Sequence, residues 1–139
     1  MNKESIYILE DRGIIYITGE DTFNYLQNII SNDLKKVTDN QSCFSYLLTP
    51  QGKYLFEFII IKHKSGYFLD CPKYQIENLI KQLALYKLRS RVEITNLSNE
   101  FVVAALSKNI FSEFASNQNK GMTIKFREDP VILDPRCTK

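Results

Sequence analysis

The 139-residue chain has no tryptophan, a single histidine and only three cysteines. Cys43, Cys71 and Cys137 show no CxxC spacing, which argues against a disulfide framework, and His63 alone adds too few ligands for a zinc site. Scattered thiols are typical of a reducing compartment, so we expect a cytoplasmic protein. No apolar run approaches the roughly 20 residues that a membrane helix needs. We therefore predict neither a metal site nor a membrane partner.

The chain also lacks a strong excess of charge, with 18 lysines and arginines against 16 acids. A nucleic-acid surface usually shows a concentrated basic face, so we expect no direct nucleic-acid partner. Basic residues do recur at Lys81, Lys87, Arg89 and Arg91, around a predicted helix end. Cations there favour the helix dipole, which explains the cluster without a ligand. No GxGxxG, GxxxxGK[ST] or GxSxG motif occurs, so dinucleotide, P-loop and serine-hydrolase chemistry are unsupported.

The sequence does contain short strand patterns that alternate with three helical patterns. Strands are predicted at 5–9, 14–18, 43–49, 54–62, 67–71, 92–97, 101–106, 122–126 and 131–133, and helices from Asp21 to about Asp33, at 73–88 and at 109–116. Asp21 is expected to cap the first helix, and Pro72 stands where the first residue of the second helix is expected. Hairpins with helices between them predict an α+β fold, in which an antiparallel sheet with a ferredoxin-like βαββαβ element carries helices on one face. We expect residues 1–139 to contain a core unit at about 14–97, followed at 98–139 by the start of another subdomain.

Residues 44–58 hold two alternating apolar runs around the turn Pro50-Gln51-Gly52-Lys53, and the second run carries an acid, Glu57, between Phe56 and Phe58. Two interpretations are open. Glu57 faces water on a half-buried sheet, or it points into a ligand cavity. Alternation alone favours water, because a residue between two inward side chains points outward.

Five short segments follow one another in an order that is characteristic of a known family. They are Gly19-Glu20-Asp21 with Phe23, Leu26 and Gln27; Ser31-Asn32-Asp33; Leu48-Thr49-Pro50-Gln51-Gly52-Lys53; Leu85-Tyr86-Lys87-Leu88-Arg89 with Val92 and Ile94; and Asp134-Pro135-Arg136. Over residues 5–136 this set resembles the amino-terminal part of YgfZ-type folate-binding proteins. That family is related to the T-protein, the aminomethyltransferase of the glycine-cleavage system.

The resemblance implies a tetrahydrofolate-binding fold that helps to assemble or repair iron–sulfur clusters, with links to tRNA modification. Its implied partners are folate and iron–sulfur assembly or client proteins. By position in the related transferases, Glu57 matches an acid that contacts folate, and Leu47 matches a residue lining the same pocket. Leu69 is the third residue that the resemblance assigns to the folate site, although the transferases tend to have tyrosine there. That difference, and Pro72-Lys73 where the transferases tend to have Ser-Asn, weakens the case for aminomethyl transfer.

The family's later KGCYxGQE-like segment does not occur in this sequence. We therefore expect a truncated form that is not a self-sufficient enzyme. Two alternatives stay open: a remnant that folds and associates with itself through uncovered apolar surface, and a tetrahydrofolate-dependent aminomethyltransferase.

Overall fold

The computed structural model describes residues 6–49, 51–99, 104–106, 123–126 and 129–132. Its strands are β1 (Ile6–Ile8), β2 (Arg12–Thr18), β3 (Cys43–Leu48), β4 (Tyr54–His63), β5 (Gly66–Pro72), β6 (Glu93–Asn96), β7 (Ala104–Leu106), β8 (Thr123–Phe126) and β9 (Asp129–Ile132). The helices are α1 (Thr22–Ile29) and α2 (Ile76–Lys87), with 3₁₀ turns at Leu34–Lys36 and Lys73–Gln75.

Five strands form one sheet in the order β3-β4-β5-β2-β6, and every neighbouring pair is antiparallel. Without β3, the remaining elements follow one another as βαββαβ, and β3 adds an edge strand to that unit. Two smaller antiparallel pairs, β1 with β7 and β8 with β9, lie outside this sheet. The predicted α+β class with an antiparallel sheet is confirmed.

The main core lies between one face of the five-stranded sheet and the two helices. Side chains of β2, β5 and β4 alternate into it, and α1 and α2 cover them with apolar stripes at helical spacing. Its most deeply buried members include Ile15, Ile17, Leu26, Leu47, Phe58, Ile60, Leu69, Leu79 and Leu83. The phenol of Tyr25 on α1 donates to the carbonyl of Leu83 on α2, which ties the two helices together.

Three local expectations were wrong in detail. Pro72 ends β5 instead of opening a helix, because a 3₁₀ turn intervenes before α2 begins at Ile76. Asp21 precedes α1 but makes no side-chain cap there. The first helix ends at Ile29, earlier than Asp33, because Ile30 is already extended. The helix predicted at 109–116 lies outside the described residues.

Two of the family-like segments hold the sheet and helices in place. The Asp21 carboxylate accepts from the backbone N–H of Arg91 at 2.7 Å, so the turn before α1 is joined to the segment before β6. Gly19 lies so close to that segment that a Cβ atom would stand 2.2 Å from the carbonyl oxygen of Arg91. A side chain is therefore excluded at Gly19 by contact as well as by its φ of +133°.

The segment Ser31-Asn32-Asp33 forms hydrogen bonds along the outer edge of β3. The Asn32 side-chain amide donates to the carbonyl of Phe44 at 3.0 Å, and the backbone N–H of Ser31 donates to the carbonyl of Tyr46 at 2.9 Å. Gln27 completes the turn, accepting from the N–H of Leu34 at 2.7 Å. These polar residues satisfy backbone groups that an edge strand would otherwise expose.

Candidate functional site

Glu57 lies on the face of the sheet that points away from the helices. It sits directly across from Tyr46 of β3, and its neighbours Phe56 and Phe58 turn towards the helix-covered core. The Glu57 side chain is half-buried, so it is neither fully solvated nor enclosed. The amide of Gln75 donates to the Glu57 carbonyl at 2.8 Å and so fixes this part of β4 against the turn before α2.

The surface beside Glu57 is apolar and aromatic. Ile14, Ile59, Ile61 and Phe68 form a second buried cluster on this face, with Phe44 packed against it. The rings of Phe44 and Tyr46 meet edge to face, with their centroids 5.0 Å apart. The short strand β9 contacts β4. Glu57 and Tyr46 therefore form the polar end of a largely apolar surface.

A charged pair lies at the same end of this face. The Nε of Arg12 is 3.0 Å from Oδ1 of Asp70, and its Nη2 donates to the Asp70 carbonyl at 3.1 Å. Asp70 is the cross-strand partner of Ile59, two residues along β4 from Glu57. Both charged side chains are only about a tenth exposed, at 11% and 10%. Because Arg12 and Asp70 neutralise each other's charge in a buried position, the pair is expected to be a rigid part of this face of the sheet.

The structure does not bring the three sequence-predicted site residues together. Leu47 and Leu69 are fully buried in the core between sheet and helices, on the opposite face from Glu57. The β4 residue directly across from Leu47 is Phe56. Of the three, Glu57 alone retains exposed side-chain surface. Tyr46 and Phe44, which flank Glu57, were not singled out from the sequence, although cross-strand alternation with Glu57 could have found them.

The turn that precedes Glu57 is anchored by Thr49. Its hydroxyl accepts from the N–H of Lys53 at 3.0 Å, and its carbonyl accepts from the N–H of Gly52 at 2.9 Å. The strand register shifts between Leu47 and Leu48, which is a β-bulge next to the turn. A bulge re-aims side chains on one strand relative to the other. The bulge lies on the turn side of the Tyr46–Glu57 pair, whose register continues unbroken along both strands.

The described thiols are buried and separate from this surface. Cys43 and Cys71 are free cysteines of the main core. Burial raises the pKa of Cys43 to about 11 and that of Cys71 to about 12, so both thiols are neutral near pH 7. Within the described ranges, no three His, Cys, Asp or Glu side chains are grouped as a metal ion requires.

The arrangement suits a flat ligand that carries N–H donors. The Glu57 carboxylate can accept such donors while the ligand's ring packs against the partly exposed rings of Phe44 and Tyr46. A reduced pterin ring has both properties, so the residues on this face fit the tetrahydrofolate that the sequence resemblance implies. The fit rests on Glu57 as acceptor and on Tyr46 and Phe44 as aromatic neighbours.

Comparison with known proteins finds relatives with three kinds of name. A mitochondrial iron–sulfur cluster assembly factor IBA57 homologue from Mycosarcoma maydis is 28% identical over 138 residues, covering 90% of this chain. The tRNA-modifying protein YgfZ of Buchnera aphidicola is 34% identical over 86 residues, covering 62% of the chain. An aminomethyltransferase from Thermoanaerobacter pseudethanolicus is 31% identical over 100 residues, covering 71%. The chain is therefore similar to proteins of the YgfZ/IBA57 type and to the related aminomethyltransferases. No family model matches the chain.

The chain spans about a third or less of these YgfZ/IBA57-type and transferase relatives, between 27% and 32% of their lengths. A solved structure of glycine cleavage system aminomethyltransferase T from Bartonella henselae superposes with a TM-score of 0.70 over 85% of this chain and 34% of that chain. At 13% identity this likeness shows the fold alone. Of the helices in the described ranges, none has the length and apolar character that a membrane span requires.

Proposed function

We propose that the chain is a folate-binding protein that assists the assembly or repair of iron–sulfur clusters. The observation that carries this proposal is the similarity to the IBA57 homologue, which extends over 90% of the chain. The similarity to a YgfZ protein supports the same role and adds a link to tRNA modification. The folate part is supported by the half-buried carboxylate of Glu57 beside an aromatic surface.

In this proposal tetrahydrofolate lies on the sheet face that carries Glu57. The Glu57 carboxylate accepts N–H groups of the pterin ring, while Tyr46 and Phe44 pack beside it. Leu47 and Leu69 have a different part, because they are buried beneath β3 and β5 on the helix side. Their packing in the core between the sheet and the helices stabilises β3 and β5. Bound folate would supply a one-carbon carrier at this surface.

A thermal shift experiment tests the folate proposal. Folinic acid, a stable reduced folate, is expected to raise the melting temperature, since ligand at a hundred times its Kd adds about 2.7 kcal/mol to the free energy of unfolding. Glu57→Gln removes the charge with little change of shape and should reduce the shift. Glu93→Gln, at an exposed acid on β6, is the matched control and should keep the full shift. An unchanged melting temperature at millimolar folinic acid would contradict folate binding.

A genetic experiment tests the iron–sulfur part. Removing the gene from its host should lower the activity of enzymes that need [4Fe–4S] clusters, and the unaltered gene should restore it. The Glu57→Gln gene should restore less activity if folate binding serves cluster assembly. Full cluster-enzyme activity in the deletion strain would overturn this role, whatever the thermal shift shows. The proposal places the protein in the cytoplasm, supported by its free buried thiols.

Aminomethyl transfer is a second candidate, favoured by the 31% identity to an aminomethyltransferase. It predicts folate-dependent ammonia release from the aminomethyl-loaded carrier protein of glycine cleavage, which the first proposal does not. The remaining alternative is a folded remnant without function that associates with itself. It predicts no folinic acid shift, together with a dimer or larger species in size-exclusion chromatography.

A further inference from the structure

The backbone groups of Glu57 point towards β5 and away from β3. Tyr46, directly across from Glu57 on β3, makes its backbone hydrogen bonds on the side away from β4. Its carbonyl accepts from the N–H of Ser31 at 2.9 Å, and its N–H donates to the Ser31 hydroxyl at 2.9 Å. In an antiparallel pair, two opposite residues either bond each other twice or both point away from the pair. Glu57 must therefore make its strand hydrogen bonds on the β5 side.

The residue of β5 that would meet Glu57 is a proline. The strands β4 and β5 pair without a break from their shared turn as far as Ile59 and Asp70. Continued by two residues, that register sets Glu57 across from Pro72, the last residue of β5. A strand carbonyl in this position normally accepts from the N–H of the opposite residue, and proline has no N–H. Pro72 therefore cannot supply the donor that a regular ladder would place there.

The side chain of Gln75 supplies a donor to the Glu57 carbonyl instead. Its amide nitrogen lies 2.8 Å from the Glu57 oxygen, an ordinary length for a hydrogen bond. Gln75 ends the 3₁₀ turn and immediately precedes α2, and it is only 6% exposed. Although it stands at the start of α2, its side chain makes no capping hydrogen bond to that helix. The Gln75 amide therefore takes the place of the strand hydrogen bond that Pro72 cannot make.

We infer that Gln75 is a positioning residue for the Glu57 carboxylate. The inference rests on the proposed folate site, in which that carboxylate accepts N–H groups of the pterin ring. On the β3 side the register shifts between Leu47 and Leu48, and on the β5 side the regular pairing reaches only Ile59. The bond from Gln75 holds the strand between these two irregular points, and a strand that moves carries its carboxylate with it. Loss of this bond therefore weakens folate binding although Gln75 itself does not touch folate.

Two buried hydrogen bonds of equal length provide matched variants for calorimetric titration with folinic acid. Gln75→Met keeps the size of the side chain and removes the donor to β4. Thr22→Val removes the 2.8 Å bond from the buried Thr22 hydroxyl to the carbonyl of Gly19, at the start of α1 on the opposite face of the sheet from Glu57. Both variants should melt at a lower temperature, because each loses a buried hydrogen bond to a backbone carbonyl. Gln75→Met should bind folinic acid about tenfold more weakly, whereas Thr22→Val should keep the Kd of the unaltered chain.

A second substitution should restore what Gln75→Met removes. Pro72→Ala returns a backbone N–H to the β5 position across from Glu57, so the ladder itself can supply the donor. The double variant Pro72→Ala/Gln75→Met should therefore recover most of the lost affinity for folinic acid. An unchanged Kd in Gln75→Met, an equal loss of affinity in Thr22→Val, or no recovery in the double variant would overturn the inference.

NMR of the ligand-free chain separates this inference from the folate proposal. In the unaltered chain the side-chain amide protons of Gln75 should exchange slowly with solvent, because they are buried and one is bonded to Glu57. The carbonyl ¹³C signal of Glu57 should shift in Gln75→Met and return when Pro72→Ala is added. Exchange as fast as that of the exposed Gln51 would overturn the inference. If the unaltered chain binds no folinic acid, the folate proposal fails, and these ligand-free signals alone decide whether Gln75 holds Glu57.

Discussion

Replacing Gly19 with alanine tests whether the Gly19-Glu20-Asp21 segment is structural. An added Cβ would stand 2.2 Å from the carbonyl oxygen of Arg91 and 2.9 Å from Cα of Val92, and both are backbone atoms that cannot rotate away. The φ of +133° adds strain for any L-residue. Moving the segment apart would weaken the 2.7 Å hydrogen bond between the N–H of Arg91 and the Asp21 carboxylate.

A matched control separates the stability lost through the steric contact at Gly19 from the stability lost through backbone strain. Gly52 also has positive φ, at +82°, but a Cβ there meets no atom within 4 Å. Gly52→Ala should therefore cost about 1 kcal/mol, from backbone strain of about 1–2 kcal/mol less a smaller loss of unfolded-chain entropy. Gly19→Ala should cost about 3 kcal/mol, because the contact and about one hydrogen bond are lost as well.

Urea denaturation at 25 °C measures both variants on one scale, since the midpoint multiplied by the m-value gives the free energy of unfolding. The reasoning requires Gly19→Ala to be clearly less stable than Gly52→Ala. Costs equal to within about 0.5 kcal/mol would show that the close approach to Arg91 does not constrain the fold.

Three further predictions follow from buried polar groups. Asp70→Asn should destabilise the fold by about 3 kcal/mol in urea denaturation, because it leaves the guanidinium of Arg12 without its charge partner; a change below 1 kcal/mol would contradict the buried pair. In a Cys137→Ser background at pH 8, Cys43 and Cys71 should react with a thiol reagent no faster than the protein unfolds, and rapid native-state labelling would contradict their burial. Stability should fall above pH 9, where both thiols ionise in the unfolded chain but not in the folded one, so the loss should reach up to about 1.4 kcal/mol per pH unit for each thiol; Cys71→Ala should reduce this slope.

The spacing of apolar residues was enough to predict the strands of the sheet, from alternation, and both described helices, from spacings of three and four. It works here because the strands of the core unit each bury one face under a helix-covered core. It failed at Pro72 and Asp21, where local propensity favoured a helix start. Contacts distant in sequence decide those two positions: Asp21 bonds Arg91, and the residue after Pro72, Lys73, donates its N–H to the carbonyl of Asp11.

The candidate site was predictable only in part. Alternation correctly indicated that Glu57 points away from its aromatic neighbours, Phe56 and Phe58. It could not show that this outward face is itself partly buried, because Ile59 and Phe68 form a second cluster there. The grouping of Leu47 with Glu57 came from family position, which carries no information about which face a side chain takes. Cross-strand register supplies that information.

The account's central claim is that a reduced folate binds the sheet face that carries Glu57. Backbone NMR of the 16.2 kDa chain titrated with folinic acid tests it most directly. The account predicts saturable shifts centred on Tyr46, Glu57 and Ile59, with much smaller changes along α2. Shifts centred on the helices, or none at millimolar folinic acid, would contradict it.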